Sequence, residues 1–298
     1  MNYLITGGTG LIGKALIAKL LTQGATITVL TRNVYKAKIL LTNSVNFISE
    51  LSLNAIEDND VVINLAGEAI ADKRWTIKQK KSICDSRWHI TTKLVELINN
   101  AKNPPSLFIS GSAIGVYGRQ GPHVIDESYQ NYHQEFTHDV CYKWEVLALN
   151  VKPAATRVAL LRTGIVLAEH GGAIGKMLLP FKLGLGGKIS HGEQIMSWIH
   201  LADMVSGIMH IKECNSLEGV INFTAPEPVT NAVFSQTLAK QLQRPCFFTT
   251  PAWLLKIVLG EMSDLLLFGQ HVVPTKLTNS GFSFHYPKID SALANLIK

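Results

Sequence analysis

The chain has 298 residues, with 28 Lys+Arg against 22 Asp+Glu, a formal net charge of +6. Hydrophobic residues make up 47% and charged residues 17%, which excludes a disordered or fibrous chain and leaves ample material for one large or two modest cores. Cys84, Cys141, Cys214 and Cys246 stand far apart without a CxxC pair, so no disulfide scaffold or zinc ribbon is expected and a reducing compartment is the natural setting. The N-terminus lacks the basic and long apolar regions of a signal peptide, and the longest apolar runs are broken by Arg162, Lys256 and Asp264, so no membrane partner is expected.

Through the first 165 residues short apolar runs alternate with amphipathic stretches. The runs Tyr3–Thr6, Thr26–Leu30, Val45–Ile48, Val61–Leu65, Leu107–Ser110 and Val158–Arg162 have the length and β-branched content of strands buried on both faces. Leu11–Gln23 carries Ile12, Leu16 and Leu20 at four-residue spacing and stops at Gly24, which predicts a helix. Trp75–Lys102, closed by Pro104-Pro105, and Phe136–Val151, closed by Pro153, predict two more. Such alternation means an α/β fold, a doubly wound parallel sheet with helices on both faces. Residues 171–192 are rich in glycine, clustered at Gly171-Gly172 and Gly184-Leu185-Gly186-Gly187, and read as a long functional loop. Ile199–Ile211 predicts a helix, Val220–Thr224 a strand, and the chain from Asn231 onward two or three helices separated by Pro245, Pro251 and Pro274. The expected division is a dinucleotide-binding domain over 1–168, with 195–225 folding back onto it, and a smaller, mostly helical substrate-binding region over 169–298.

The strongest motif follows the first strand: Thr6-Gly7-Gly8-Thr9-Gly10-Leu11-Ile12-Gly13, a GxxGxxG string that leads into a helix. The first glycine permits the tight turn, the second lets a pyrophosphate approach the backbone, and the third lets helix and strand pack closely. Thr9, Leu11 and Ile12 belong to the same phosphate cradle, because the helix start offers free N–H groups and a positive dipole end. The second strand ends at Thr31-Arg32, where an NAD-selective fold places an acidic residue for the ribose. A guanidinium suits a 2′-phosphate instead, so NADP (as NADPH) is favoured over NAD. The fourth strand ends in Leu65-Ala66-Gly67, small enough to lie against a ribose; Ser110, Thr163, Gly164 and Ile165 complete the candidate cofactor contacts.

Lys73, Arg74, Lys78, Lys80 and Lys81 form a basic cluster without an acid. It reads as a solvated face or as a rim that attracts anionic substrates. Nucleic acid would need a wider basic face with interleaved aromatics, and only Trp75 is present, so no nucleic-acid partner is expected. No His/Cys/Asp/Glu group has ligand spacing, so no metal is expected.

With these residues in hand, the chain resembles the extended short-chain dehydrogenases/reductases, the NAD-dependent epimerase/dehydratase superfamily. More narrowly it resembles the epimerase family proteins, some of them labelled cell-division-inhibitor-like. The narrower resemblance rests on Pro180-Phe181-Lys182-Leu183-Gly184-Leu185-Gly186-Gly187, on Ser197-Trp198-Ile199-His200 with Asp203, and on Asn222-Phe223-Thr224-Ala225-Pro226-Glu227-Pro228. The resemblance implies a Rossmann domain with a bound dinucleotide, a smaller C-terminal substrate domain, a cytoplasmic setting and a serine after the fifth strand that holds a substrate oxygen, here Ser112.

The superfamily's acid/base group is a Tyr four residues before a Lys; none of the seven tyrosines here has that Lys. Anchored on Glu145, the resemblance puts Thr137 at the tyrosine position and Cys141 at the lysine position. Cys141 is then either a buried helix residue or a substitute proton donor. Tyr117, from the Ser112 loop, is a third catalytic candidate. Arg87 replaces an expected Asn and, with Lys182, is a candidate for an anionic substrate group; it could equally pair with Asp85 or Glu145. His200 reads as structural, with Asp203 either capping the following turn or pairing with it. The expected function is an NADP-binding oxidoreductase acting on a small substrate. The alternatives are a nucleotide-sugar epimerase and a non-catalytic NADP-binding regulatory protein. The oligomeric state stays open, with a homodimer as one option.

Overall fold

The computed structural model describes residues 1–42, 44–152 and 154–297; Pro153, expected to close a helix, lies outside them. Seven strands form one sheet: β1 Asn2–Thr6, β2 Thr26–Leu30, β3 Asn46–Ile48, β4 Val61–Asn64, β5 Leu107–Ala113, β6 Arg157–Thr163 and β7 Gly219–Phe223. Their order is β7-β6-β5-β4-β1-β2-β3, and every pairing is parallel. This is the doubly wound Rossmann arrangement, with strand order reversing on either side of β1.

Consecutive strand residues feed two cores, which is why the strand sequences read as unbroken apolar runs. Ile5, Ile63, Ile109 and Leu161 pack on one face with Leu16, Ile17 and Leu20 of α1 (Leu11–Thr22). Leu4, Val62, Phe108 and Leu160 pack on the other with Leu94 and Ile98 of α2 (Ile77–Asn100) and Ala148 of α3 (Phe136–Ala148). The Thr76 hydroxyl accepts from Gln79 N–H and so sets the start of α2, two residues later than the sequence suggests.

Three expectations change. The glycine-rich segment is not one long loop: it contains α4 (Gly172–Lys182), bracketed by Gly171 at φ +88° and Gly184 at φ +73°. Glycine there supplies the left-handed turns that enter and leave the helix. The predicted helix at Ile199 begins only at Leu201, as α5 (Leu201–Glu213), because Trp198–His200 is a strand paired in parallel with Ile165–Leu167. The chain beyond Asn231 holds α6 (Asn231–Gln241), α7 (Ala252–Leu259), the short turns Asp264–Leu267 and Thr275–Asn279, and α8 (Ile289–Leu296), more pieces than the proline spacing suggested.

A third core joins this C-terminal part to the sheet domain, with Trp198, Phe181 and Ile174 against Phe234, Leu238, Leu293 and Leu296. Asp203, on α5 and fully buried, fastens the same seam. Its carboxylate accepts from His285 N–H at 2.7 Å, Tyr286 N–H at 2.9 Å and the His285 ring at 3.0 Å. Asp203 thus pairs with His285 and not with His200, whose Nδ1 caps α5 by accepting from Ala202 N–H at 3.1 Å.

That cap requires a neutral ring, and burial holds the His200 pKa below its ordinary 6.5 despite the nearby Asp203. A depressed pKa contributes stability that is present above 6.5 and lost as pH falls through the folded-state value. Replacing the cap by His200→Ala is expected to cost about 1 kcal/mol at neutral pH. His200→Asn keeps a capping oxygen and should show a smaller drop in melting temperature between neutral pH and mildly acidic pH than the wild type. Thermal unfolding across that range measures both effects.

Candidate functional site

The turn after β1 has the form that the glycines demand. Gly7 sits at φ +70°, and a Cβ there would lie 2.5 Å from the Leu65 carbonyl group; a Cβ on Gly13 would lie 2.4 Å from Gly7 O. Gly10 N–H donates to Gly7 O at 2.9 Å and closes the turn. Helix α1 then starts with no side-chain cap and no acidic residue in its first turn, so its first N–H groups remain open to an anion. Thr6 Oγ1 lies behind this turn, donating to Asn64 Oδ1 at 2.6 Å and accepting from Ala66 N–H at 3.3 Å. Thr31 is half-buried at the end of β2, and Arg32 is exposed beside it without a hydrogen bond or ion pair among the described residues. Glu68 is within electrostatic reach of Arg32, but its carboxylate is bound by Lys73, whose bond holds it below the usual range.

Where catalytic groups would stand, the structure has a closed polar network. Glu145 of α3 receives Arg162 of β6 in a two-pronged pair, Nε to Oε1 at 2.9 Å and Nη2 to Oε2 at 2.8 Å, with the two side chains only 4% and 7% exposed. Ser112 donates to the same Oε1 at 2.6 Å. Arg162 Nη1 also donates to Tyr117 OH at 3.0 Å, and Tyr117 donates to Asn222 Oδ1 of β7 at 2.8 Å. Burial pushes the Tyr117 hydroxyl up to about 12, with Arg162 opposing it in part. Burial lowers the Arg162 pKa, but the bonds and charge of Glu145 outweigh it, and the net shift is upward.

Cys141 faces Gly115 from α3. Burial, then the Glu145 charge, pushes its thiol up to about 12, so it stays protonated at neutral pH. Thr137 donates to Glu135 Oε1 at 2.7 Å.

Beyond the carboxyl ends of β5 and β6 lies a cavity of about 160 Å³, roughly the size that accommodates a benzene ring. Its walls are mostly apolar, including Ile114, Ile165, Met177, Ile195 and Phe268. Among its described lining residues the charged ones are Arg119, Glu135 and Asp264. Arg119 is shared between the two carboxylates: its Nε meets Glu135 Oε2 at 2.9 Å and its Nη2 meets Asp264 Oδ2 at 3.0 Å, with the guanidinium over the Phe268 ring. Gln194 also lines the cavity. Its Nε2 donates to Ile189 O and Leu266 O, which fixes the amide's orientation, and its buried Oε1 has no partner among the described residues.

The model of the NAD-dependent epimerase/dehydratase family matches residues 3–222, and that of a domain of unknown function (DUF1731) matches 250–296. The chain belongs to the NAD-dependent epimerase/dehydratase family. An epimerase family protein of Staphylococcus saprophyticus is 38% identical over 296 residues, 99% of either chain. Among solved structures, the human epimerase family protein SDR39U1 (isoform 2) with NADPH is 32% identical at a TM-score of 0.90, covering 100% of this chain and 99% of that one. A nucleoside-diphosphate sugar epimerase of Corynebacterium glutamicum is 28% identical at a TM-score of 0.79, covering 100% of this chain and 58% of that one. The fold and the nucleotide-binding Rossmann class follow from this membership.

Against the family pattern, the positions singled out in the sequence separate into two places. Gly7, Thr9, Gly10, Leu11, Ile12 and Gly13 with Leu65, Ala66 and Gly67 form one continuous rim at the turn. Thr163, Gly164 and Ile165 lead from β6 toward the cavity, and a Cβ on Gly164 would sit 2.4 Å from Ser197 O. Ser110 and Ser112 lie inside β5, which runs to Ala113 and not only to Ser110, because the pairing with β6 continues.

Ser112, Tyr117 and Cys141 are buried and do not line the cavity; their polar atoms face protein partners. Arg87 meets neither carboxylate considered for it: its Nη1 donates to Glu68 O at 2.9 Å and Ile83 O at 3.0 Å, and its guanidinium lies under Gly67. Lys182 is exposed at the last turn of α4, outside the cavity. The basic cluster is largely neutralised, with Lys73 on Glu68, Lys80 on Glu261 and Lys81 on Asp85. Sequence reading missed Arg162, Gln194 and Arg119. A charged residue inside an otherwise apolar strand was the available signal for Arg162, since such a charge must be paired.

Breaking the buried pair by Glu145→Gln or Arg162→Met is expected to cost about 3–5 kcal/mol, with the double variant milder than the sum; urea unfolding measures this. Cys141 should resist a thiol reagent at neutral pH until the protein unfolds, after the half-buried Cys84, Cys214 and Cys246 have reacted. Mass mapping of the labelled sites follows the order.

Proposed function

We propose that the chain binds NADPH in preference to NADH and acts as a reductase on a small, neutral, largely apolar molecule. The observation that carries the cofactor choice is Arg32, an exposed guanidinium without a hydrogen bond or ion pair among the described residues, at the strand end where an acidic residue would hold an NAD ribose. The NADPH bound by the human relative supports the same reading. Arg32 would grip the 2′-phosphate, and the Gly7–Gly13 turn with the open start of α1 would take the pyrophosphate. When bound, NADPH supplies a hydride from nicotinamide C4.

This chain's own residues then have a restricted part. Ile165 and Ile114 present apolar walls that exclude water, and Gln194 Oε1 offers an acceptor to a ligand O–H or N–H group. Arg119 is held by two carboxylates, so the cavity repels anions, and a nucleotide sugar is far larger than the space. Ser112 is committed to Glu145, so its contribution is to hold α3 against β5 and thereby shape the cavity wall. The proton for a reduced carbonyl comes from water, since Thr137 and Cys141 replace the Tyr–Lys pair and the Cys141 thiol does not ionise.

A second reading, a non-catalytic NADP-binding regulator, is favoured by one observation: Ser112, Tyr117 and Thr137, at the expected catalytic positions, are each bonded within the protein.

Arg32→Ala is expected to lower the NADPH/NADH affinity ratio about tenfold, the loss of one charged hydrogen-bonding group, while NADH binding stays unchanged. Titration calorimetry with both dinucleotides reads this, and an unchanged ratio would refute the cofactor assignment. Following NADPH absorbance against neutral aldehydes and ketones, carboxylate-bearing carbonyls and UDP-sugars separates the readings. Turnover confined to the neutral compounds supports the reductase; tight NADPH binding with no turnover supports the regulator.

A further inference from the structure

The net charge of this chain is carried by two stretches of its sequence. Residues 170–192 and 228–260 contain no Asp or Glu, and they hold Lys176, Lys182, Lys188, Lys240, Arg244 and Lys256. These cations account for the entire formal excess of +6; elsewhere Lys+Arg and Asp+Glu match one for one. Lys182, Lys188, Lys240, Arg244 and Lys256 are all exposed.

The same two stretches hold the exposed apolar side chains. Helix α7 has no buried residue, and Trp253, Ile257 and Val258 are 63%, 65% and 58% exposed. Phe247 and Phe248 precede it, at 88% and 53%, and Leu179, Leu183 and Leu185 lie on and just after α4.

The fold brings the two stretches together. Phe248–Thr250 pairs in parallel with Gly187–Ile189, the turn at Gly184 packs near Pro245, and Pro251 leads directly into α7. The pairing brings the exposed apolar side chains and the cations of the two stretches into one region of the surface, and neither stretch contributes a carboxylate to it. A monomer in water gains nothing by exposing such a face.

Charge decides what covers it. A two-fold dimer through this face would place the whole charge excess of one copy against that of the other, which opposes association. A nucleic acid would neutralise the cations but leave Ile257, Val258 and Phe247 wet. A bilayer surface with anionic headgroups offers a phosphate layer for the lysines and an acyl boundary for the aliphatic and aromatic side chains, the arrangement of interfacial helices.

We infer that this face docks on an anionic lipid bilayer, with Trp253, Ile257 and Phe247 entering the headgroup region while Lys188, Arg244 and Lys256 meet lipid phosphates. The docking needs no spanning segment, and among the described residues no helix is long and apolar enough to cross a membrane. It is independent of the dinucleotide reading.

The test is co-sedimentation of the full chain with phosphatidylcholine vesicles, with and without phosphatidylglycerol. The expected result is binding at least tenfold stronger to the mixed vesicles, released by added salt and accompanied by a blue shift of tryptophan emission that Trp253→Phe removes. Ile257→Glu and the pair Lys188→Gln/Lys256→Gln should each weaken binding at least tenfold with melting temperature unchanged, because all three side chains are exposed. Equal binding to neutral vesicles, no binding to either, or wild-type binding by Ile257→Glu would overturn the inference. So would a concentration-dependent dimer in light scattering that Ile257→Glu dissolves while vesicles bind nothing; that outcome assigns the face to a second copy.

Discussion

The pair formed by Glu145 and Arg162 organises the centre of the molecule. Two charges taken from water cost more than their mutual attraction returns unless every remaining lone pair and N–H is also bonded. The structure meets that condition by recruiting Ser112 onto Glu145 and Tyr117 onto Arg162, and Asn222 onto Tyr117. One helix, three strands and the turn after β5 are thereby fixed to a common point. The polar groups that the fold family would turn toward a substrate here face one another, and the cavity next to them is left with apolar walls.

A second chain of bonds runs in parallel to it. Thr91 Oγ1 donates to Arg87 O at 2.7 Å and accepts from Asn64 Nδ2 at 2.8 Å and from Trp144 Nε1 at 2.9 Å. Asn64 in turn receives Thr6, whose oxygen supports Ala66 at the glycine turn. The nucleotide rim and helix α3 are therefore tied through fully used hydroxyl and amide groups, which makes the rim a rigid preformed surface and not a loop that must order on binding.

The sheet, its direction and the glycine turn were legible in the sequence because they rest on local signals: unbroken β-branched runs, four-residue apolar spacing, and glycines at a strand-to-helix turn. The C-terminal pieces were less so. Short turns such as Asp264–Leu267 have too few residues for a period, and α4 was hidden by the glycines that bracket it. At the site, sequence reading found Ser112, Cys141 and Glu145 one by one but could not tell which way their polar atoms point. That depends on Arg162 and Asn222, which stand on other strands. The distribution of charge was misplaced for a related reason: the densest basic cluster, at residues 73–81, is answered by Glu68 and Asp85, which flank it, and by Glu261, which is distant in sequence from Lys80.

Strand β7 is an edge strand added to the sheet after a long excursion through α4 and α5, and it carries Asn222. Sheet pairings that close over such separations form slowly, because loop entropy is lost before the contacts reward it. On the ribosome, the phenol of Tyr117 therefore waits for Asn222, synthesised about a hundred residues later. Until β7 arrives, the β6 edge of the nascent sheet is uncovered, and that interval is when a chaperone or a protease would meet this chain.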